Sequence, residues 1–360
     1  MKLSSVTVII PSYDPDEKLV PTLKSIQLAG FSDVIVVNDG SAPECAAIFD
    51  EVGALPFVTL LAHEVNRGKG AALKTAFSWY AANRPDGAGV VTADGDGQHL
   101  PKDIAACAEK MLDTGECVLG CRDFSLPDVP ERSRKGNNIT RGVFKRFFKI
   151  DVSDTQTGLR AIPSRFIPEL IATEGDRYEY ENNMLVTFRD KKIPFGEVPI
   201  ETVYIEENKT SHFRPVRDSA RIYYHLFERV IKYTLSSLFC VLLENVTQTI
   251  LHDLFAEKIG GRMLLELVDF LPARIVASLI NYYLNRRFVF KKQRDGRYFA
   301  KYSLLWACQA AVTWLCTVGV QELFGGTGGV LYFIMISVIK TAIFFLSYVI
   351  QNKWVFKEKQ

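Results

Sequence analysis

Residues Gly89 to Gln98 read Gly-Val-Val-Thr-Ala-Asp-Gly-Asp-Gly-Gln, so a short apolar run breaks directly into two aspartates one residue apart. Apolar runs of this kind favour buried strands. The pattern therefore predicts that the carboxylates of Asp94 and Asp96 emerge at a strand's C-terminal end, where open α/β sheets bind ligands. Gly95 and Gly97 let the backbone turn sharply and lie close to a ligand. Two acids with the amide oxygen of Gln98 suit a hard divalent cation that also carries substrate phosphates. Taken alone, the pattern is equally that of a solvated Asp-Gly turn.

The elements that must position these groups are legible around them. Val6–Ile10 is a predicted strand that Pro11 stops, and a helix is predicted from about Lys18 to Leu28, closed by Gly30. Val34–Val37 is the next apolar run and ends in Asn38-Asp-Gly-Ser41; Val58–Leu61 is a third, followed by Asn66-Arg-Gly-Lys-Gly70 and a helix over about Ala71–Asn83. Strand and helix alternate, which predicts a parallel sheet with covering helices. Polar, glycine-bearing loops therefore follow several strand ends, and together they suggest one nucleotide-shaped crevice. No Gly-x-Gly-x-x-Gly follows the first strand, and Gly68-Lys69-Gly70 lacks the earlier glycine and the Ser/Thr of a P-loop, so both of those phosphate-binding motifs are excluded.

Composition narrows the class. A chain of 360 residues suggests two domains. Its 43 Lys and Arg against 41 Asp and Glu give a net charge of +2, which offers no argument for nucleic acid. Seven cysteines with no Cys-x-x-Cys pair exclude a zinc pattern and fit a reduced compartment. The strand pattern begins at Val6, so no signal peptide is expected.

The four motifs Pro11-Ser-Tyr-Asp14, Asn38-Asp-Gly-Ser41, Asn66-Arg-Gly-Lys-Gly70 and Asp94-Gly-Asp-Gly-Gln98 stand in the order seen in family 2 glycosyltransferases of GT-A fold. Over roughly the first 215 residues the chain resembles the polyprenyl-phosphate sugar transferases, which include dolichyl-phosphate mannose synthases. The resemblance implies a Rossmann-like, mainly parallel α/β sheet with covering helices. It also implies that Pro11, Tyr13, Asp14 and Asp39 hold the base and ribose of a nucleotide-sugar, with Lys69 and Gly95 near the nucleotide. Asp94 would bridge ribose and metal surroundings, and Asp94, Asp96 and Gln98 would ligate Mg²⁺ or Mn²⁺ on the diphosphate. Two residues depart from the pattern: Asn38 replaces the first acid of the commoner Asp-Asp-Gly-Ser, and Gly95 replaces a commoner alanine.

Further along, Gly120-Cys-Arg122 is similar to the family's Gly-Ser-Arg. Arg122 and Arg134 are candidates to grip phosphate oxygens by forked hydrogen bonds, whereas Arg132 reads as a solvated charge. Asp154-Thr-Gln-Thr-Gly-Leu-Arg160 resembles the segment that closes the sugar site, which makes Asp154 a candidate contact to a sugar hydroxyl. Arg160, Glu181, Lys209 and His212 are candidates at the acceptor or its phosphate. Glu179 and Glu181 read equally well as the exposed face of a strand, and His212 as a residue packed on Phe213.

These groups fit displacement at a sugar's anomeric carbon, with a nucleoside diphosphate leaving and a divalent ion neutralising it. A lipid-phosphate acceptor is already anionic, because a phosphate monoester's second pKa is about 6. No strong base is then required. A hydroxyl acceptor would instead need Asp154, Glu179 or Glu181 as base.

The C-terminal part differs in kind. Apolar stretches at Leu235–Leu243, Ile275–Leu284, Leu304–Val320 and Val330–Ile350 predict four membrane spans, roughly 231–251, 264–284, 302–322 and 330–350. The basic loop from Arg286 to Lys301 and the basic tail predict that both termini and the catalytic domain face the cytoplasm. Asn281-Tyr-Tyr-Leu-Asn-Arg-Arg-Phe-Val-Phe290 and Ser347-Tyr-Val-Ile-Gln-Asn-Lys-Trp-Val-Phe356 form an internal repeat. This region resembles the GtrA-like family of small four-helix membrane proteins. Glu244, Asp269, Arg274 and Lys340 fall within the spans, where charges face a partner or a cavity; Asp269 and Arg274 are placed to pair. The expected division is 1–215 for the GT-A domain, 216–230 for a basic, aromatic interfacial helix and 231–360 for the membrane domain, which is also a possible site of homo-oligomer contact. The expected reaction is inverting transfer of a hexose from a UDP-glucose or GDP-mannose type donor to a polyprenyl phosphate, in cell-envelope polysaccharide synthesis. The alternatives are a lipid-linked-sugar flippase or scaffold and a transferase to a hydroxyl.

Overall fold

A computed structural model describes residues 3–127, 129–201, 215–255, 257–259, 262–324 and 330–357. Lys209 and His212 lie outside them. The chain divides into two compact units, Met1–Leu226 and Phe227–Gln360.

The first unit alternates as the apolar runs predict: β1 (Val6–Ser12), α1 (Leu19–Leu28), β2 (Val34–Asp39), α2 (Ala46–Gly53), β3 (Val58–His63), α3 (Lys69–Asn83), β4 (Gly89–Thr92) and α4 (Pro101–Thr114). There follow β5 (Cys117–Arg122), α5 (Glu131–Val143), β6 (Arg160–Pro163), α6 (Ile167–Ile171), α7 (Glu179–Lys191) and β7 (Phe195–Ile200). The sheet order is β3-β2-β1-β4-β6-β5-β7. Strands β1 to β4 are parallel, but β6 enters antiparallel between β4 and β5. The sheet is therefore mixed, with helices packed against it. One core cluster includes Ile9, Val37, Phe77, Val90 and Phe188, and a second includes Val8, Ile10, Leu19, Val36 and Ile104. The alternation of Val8, Ile9 and Ile10 between the two is the period-two signature of a strand buried on both faces.

Strand β1 does not stop at Pro11 as expected. Pro11 pairs with Val37 and Ser12 with Asn38. The reason is directional. The N–H of Val8 donates to the Asp33 carbonyl on the β2 side, so alternation points residue 11 towards β4. There the last pair is Ile9 with Thr92, and a missing N–H interrupts no ladder bond.

The acids of Arg177–Glu181 also lie elsewhere than on an exposed strand face. Glu179 and Glu181 sit in the first turn of α7 and are buried.

In the second unit, helices α8 (Pro215–Phe255, which begins in the first), α9 (Arg262–Leu284), α10 (Gly296–Phe324) and α11 (Val330–Ile350) cover the four apolar ranges. Residues 216–230 are the start of α8 and not a separate helix. Among the described residues, no helix is long and apolar enough to cross a membrane. Arg274 directs Nη1 to both carboxylate oxygens of Glu244 at 2.9 Å, an interhelical pair; the side chain of Asp269, its expected partner, lies outside what the structure describes. The internal repeat folds twice into the same wide turn. Phe290 N–H donates to the Asn285 carbonyl and Phe356 N–H to that of Gln351, each five residues back. Repeat-related residues also meet: Asn285 Nδ2 donates to Gln351 Oε1 at 3.1 Å, and the rings of Phe290 and Phe356 stack at 4.6 Å.

Candidate active site

Asp94 directly follows Ala93, the first residue after β4, and Asp96 lies two residues further on; the Ala93 N–H still donates to the Ile9 carbonyl. That bond holds the backbone in line until the carboxylates leave the sheet. Asp94 is gripped from two sides: Lys69 Nζ lies 2.7 Å from Oδ1, and His99 Nε2 lies 3.5 Å from Oδ2. Burial disfavours its charge, but Lys69 and then His99 outweigh that and hold its carboxyl well below the usual carboxylate range. Asp96 shifts the other way, raised by burial and then by repulsion from Asp94. Its Oδ1 accepts the Gln98 N–H at 3.0 Å, an Asx turn that bends the loop back.

Lys69 stands in the first turn of α3, not in the preceding loop as expected. Its ammonium also meets Glu181 Oε1 at 2.9 Å. Burial opposes its charge, and the two carboxylates overcome that and raise its pKa. Glycines permit this approach. Gly68 has φ +102, a conformation L side chains rarely adopt, and a Cβ there would strike Asp176 and Arg177 at 2.5 Å.

Asp39 is consumed by structure. At 2% exposure, its Oδ1 accepts the Arg67 N–H and its Oδ2 the Gly68 N–H, at 2.9 and 2.7 Å. Those are donors at the entrance of α3 that the helix itself leaves unsatisfied. His63 Nδ1 lies 2.6 Å from Asp39 Oδ1, and its Nε2 2.9 Å from Thr75 Oγ1. The carboxylate thus builds the Asn66–Gly70 turn. Asn38 Oδ1 accepts the Ser41 N–H, and Asp14 Oδ1 accepts that of Ala42, while the Asp14 N–H donates to Ser41 Oγ. Asn in place of the family's acid supplies the acceptor this turn needs. Asp14 has φ +44, and Tyr13 beside it is half-exposed, its hydroxyl pKa raised chiefly by the Asp14 charge.

Asp154 is fully buried, and Arg122 holds it in a forked pair, Nε to Oδ2 at 2.7 Å and Nη2 to Oδ1 at 3.1 Å. Its loop is clamped by Asn137, which donates to the Ser153 carbonyl and accepts from Thr155, and by Glu197, which accepts from the Ser153 N–H and hydroxyl. Arg134 donates to the carbonyls of Phe124 and Leu126, which closes the loop between β5 and α5. Arg160 is 1% exposed and donates to the Thr157 and Glu181 carbonyls, with Nη2 buried and unpartnered. Asp94, Gln98, His99, Arg122, Gln156 and Gly158 line one crevice. Gly158 roofs the Asp94–Lys69 pair, since a Cβ there would lie 2.8 Å from Asp94 Oδ2 and 3.0 Å from Lys69 Nζ.

The structure therefore brings together Lys69, Asp94, Gln98, Arg122, Asp154 and Glu181, and adds His63, His99, Asn137, Gly158 and Glu197, which sequence reasoning passed over. His99 carried a signal, because it directly follows Gln98. The others gain meaning only from partners far along the chain. Among the described residues no group of three or more His, Cys, Asp or Glu side chains forms a metal cage. Two carboxylates and an amide are a donor set for an ion that shares its shell with substrate phosphates. The repulsion that raises Asp96 is the kind a divalent cation relieves, so Asp94, Asp96 and Gln98 fit Mg²⁺ or Mn²⁺.

Residues 7–168 match the model of glycosyl transferase family 2, and residues 266–356 that of the GtrA/DPMS transmembrane domain. An uncharacterised protein of Methanocaldococcus jannaschii is 30% identical over 209 residues, covering 56% of this chain and 82% of the relative. The UDP-N-acetylglucosamine–dolichyl-phosphate N-acetylglucosaminyltransferase of Methanococcus voltae is 28% identical over 219 residues, covering 56% and 86%. A crystal structure of glucosyl-3-phosphoglycerate synthase from Mycobacterium tuberculosis, in complex with Mn²⁺, UDP and glucosyl-3-phosphoglycerate, is 17% identical with a TM-score of 0.47, covering 62% of this chain and 78% of the other.

Proposed function

The chain belongs to glycosyl transferase family 2 and carries a GtrA/DPMS transmembrane domain, and on that premise we propose that it moves a hexose from a nucleotide-sugar to a polyprenyl phosphate at the cytoplasmic face of a membrane. The observation that carries this reading is Asp94 at the end of β4, fixed by Lys69 at 2.7 Å in a crevice shared with Gln98, His99 and Arg122. The relative named for a dolichyl-phosphate acceptor supports the lipid substrate. The four apolar ranges and the basic loop after α9 support the anchor and its orientation.

In this mechanism Asp94, Asp96 and Gln98 would hold a divalent ion, which would supply Lewis-acid neutralisation of the diphosphate. The acceptor's phosphate oxygen forms a bond to the anomeric carbon as the bond from that carbon to the diphosphate oxygen breaks. A single displacement inverts the centre, and the nucleoside diphosphate departs with the bonding pair. Lys69 and His99 keep Asp94 ionised and immobile. Asp154 holds the Arg122 guanidinium at the crevice wall, where its charge faces phosphate oxygens.

A phosphate acceptor also fits what the carboxylates are doing. Asp154 is taken by Arg122, Glu181 by Lys69, and Glu179 Oε1 by the N–H groups of Asp176 and Arg177. Asp154 and Glu181 are paired with cations, and Glu179, whose Oε2 has no hydrogen-bond partner, is buried in the first turn of α7, so none of the three is the exposed, unengaged base that a hydroxyl acceptor would need.

The test is an assay of the membrane-embedded full chain with radiolabelled UDP- and GDP-sugars, Mn²⁺ and polyprenyl phosphate. Label should enter the lipid fraction with one donor class. No transfer across the panel, together with retained lipid-linked-sugar binding, would favour the flippase or scaffold.

A further inference from the structure

The second wide turn of the helical unit shows which parts of the first are needed for folding. Asn285, Val289 and Phe290 have counterparts in Gln351, Val355 and Phe356, and all six are buried. The cations are repeated only in part: Arg287 corresponds to Lys353 and Lys291 to Lys357. Arg286 corresponds to Asn352, Lys292 to Glu358 and Arg294 to Gln360. The second turn therefore closes without three of the five, and turn closure does not account for Arg286, Lys292 and Arg294.

In space, Arg286, Arg287, Lys291, Lys292 and Arg294 line an open basin of about 620 Å³ with Phe288 and Gln293, and no acid among the described residues lines it. Asp295, the adjoining carboxylate, is committed to Arg297 at 2.8 Å. The helix that runs into the basin presents a ridge of exposed apolar residues at four-residue steps: Leu271, Ile275, Leu279 and Tyr283, between 42% and 49% exposed. Phe288, 51% exposed, carries the ridge to the basin's edge, and the Arg286 guanidinium lies 5.8 Å from the Tyr283 ring centre. An apolar ridge ending in a cationic basin is complementary to an amphiphile with an anionic head.

We infer that the Arg286–Arg294 turn is a binding site for an anionic phospholipid, with the headgroup phosphate in the basin and an acyl chain along the exposed ridge of α9. The site rests on the membrane reading above. Its openness favours a lipid that stays in the bilayer over the acceptor, which must be enclosed for transfer. Five cations around one basin exceed what a general surface attraction needs, since each basic residue near an anionic leaflet already contributes measurably.

The experiment uses the full chain in detergent, titrated with fluorescent phosphatidylglycerol, and then its partition to vesicles of phosphatidylcholine with or without phosphatidylglycerol. The triple variant Arg286→Gln, Lys291→Gln, Lys292→Gln should bind phosphatidylglycerol on the order of 100-fold more weakly. The control Lys353→Gln, Lys357→Gln on the second repeat should bind as the wild type does. If the triple variant fails to fold, Lys291→Gln alone, on an exposed position, should weaken binding roughly 5-fold. Equal loss in control and test variants overturns the site, as does displacement of the probe by inorganic phosphate at matched concentration. Displacement by polyprenyl phosphate in preference to phosphatidylglycerol assigns the basin to the acceptor and also overturns it. Association with both vesicle types and no preference between them overturns the site alone, whereas no association with either overturns the membrane reading beneath it.

Discussion

Gly158→Ala separates the candidate site from the fold it sits on. A Cβ at Gly158 would lie 2.8 Å from Asp94 Oδ2, against an ordinary contact of about 3.4 Å, so Asp94 must retreat by roughly 0.6 Å (3.4 − 2.8). Lys69 Nζ, at 3.0 Å, is pressed in the same direction. The neighbours that give way are side-chain tips, and the glycine's φ lies outside the left-handed region. The backbone therefore accepts alanine, and the lost freedom of the unfolded chain offsets the residual crowding, an effect of about 0.4–1 kcal/mol. Stability should be nearly unchanged. Transfer should not be, because a 1 Å misplacement at a reacting centre costs roughly 100-fold, which scales to about 10-fold here. The assay is initial-rate transfer of label into polyprenyl phosphate at saturating donor, paired with thermal unfolding of the same preparation. Full activity in a folded variant would refute the placement of Asp94 and Lys69 at the reacting centre. Activity and melting temperature lost together would refute the claim that Gly158 touches the site without supporting the fold.

Four further expectations follow from the same geometry. Asp96→Asn should lower transfer by roughly 10³-fold, as expected when a charge-neutralising ion is lost, and isothermal titration should show weakened Mn²⁺ binding in the folded variant. Because the Asp96 carboxyl is raised, by burial and then by Asp94, it takes up a proton at a higher pH than an ordinary aspartate; Mn²⁺ affinity should therefore decline earlier on acidification than in a site with ordinary carboxylates, measured by calorimetric titration at successively lower pH. Asp39→Ala removes the acceptor of two buried N–H groups and of His63, and should cost about 3–5 kcal/mol in denaturant unfolding. Burial pushes the thiols of Cys107, Cys117 and Cys121 from 9.0 up to about 12. Their contribution to stability is complete below pH 9 and lost as pH rises towards 12, and they should resist thiol reagents at about pH 8 until the protein is unfolded.

Much of the chemistry could be read from the chain alone because it is local. Asp94, Asp96 and Gln98 lie within five residues, and an apolar run ending in glycine-spaced acids has few structural meanings. The strands β1 to β4, though not where β1 ends, and the internal repeat were also legible, since period and repetition are properties of sequence. The partners of those residues were not. Lys69 reaches Glu181 across more than a hundred residues, Arg122 finds Asp154, and Asp39 spends its carboxylate on the turn before α3. Asp39 and Asp154 were expected at the substrate, and the fold commits both carboxylates to buried partners, because an unpaired charge or donor inside the domain would cost more than the pairing. The antiparallel entry of β6, which brings Gly158 over Asp94, likewise has no local signature. Sequence alone determined which residues can do the chemistry. Tertiary structure decided which of them are engaged in holding the site and which are left to face a substrate, because pairing depends on distances between residues far apart in the chain.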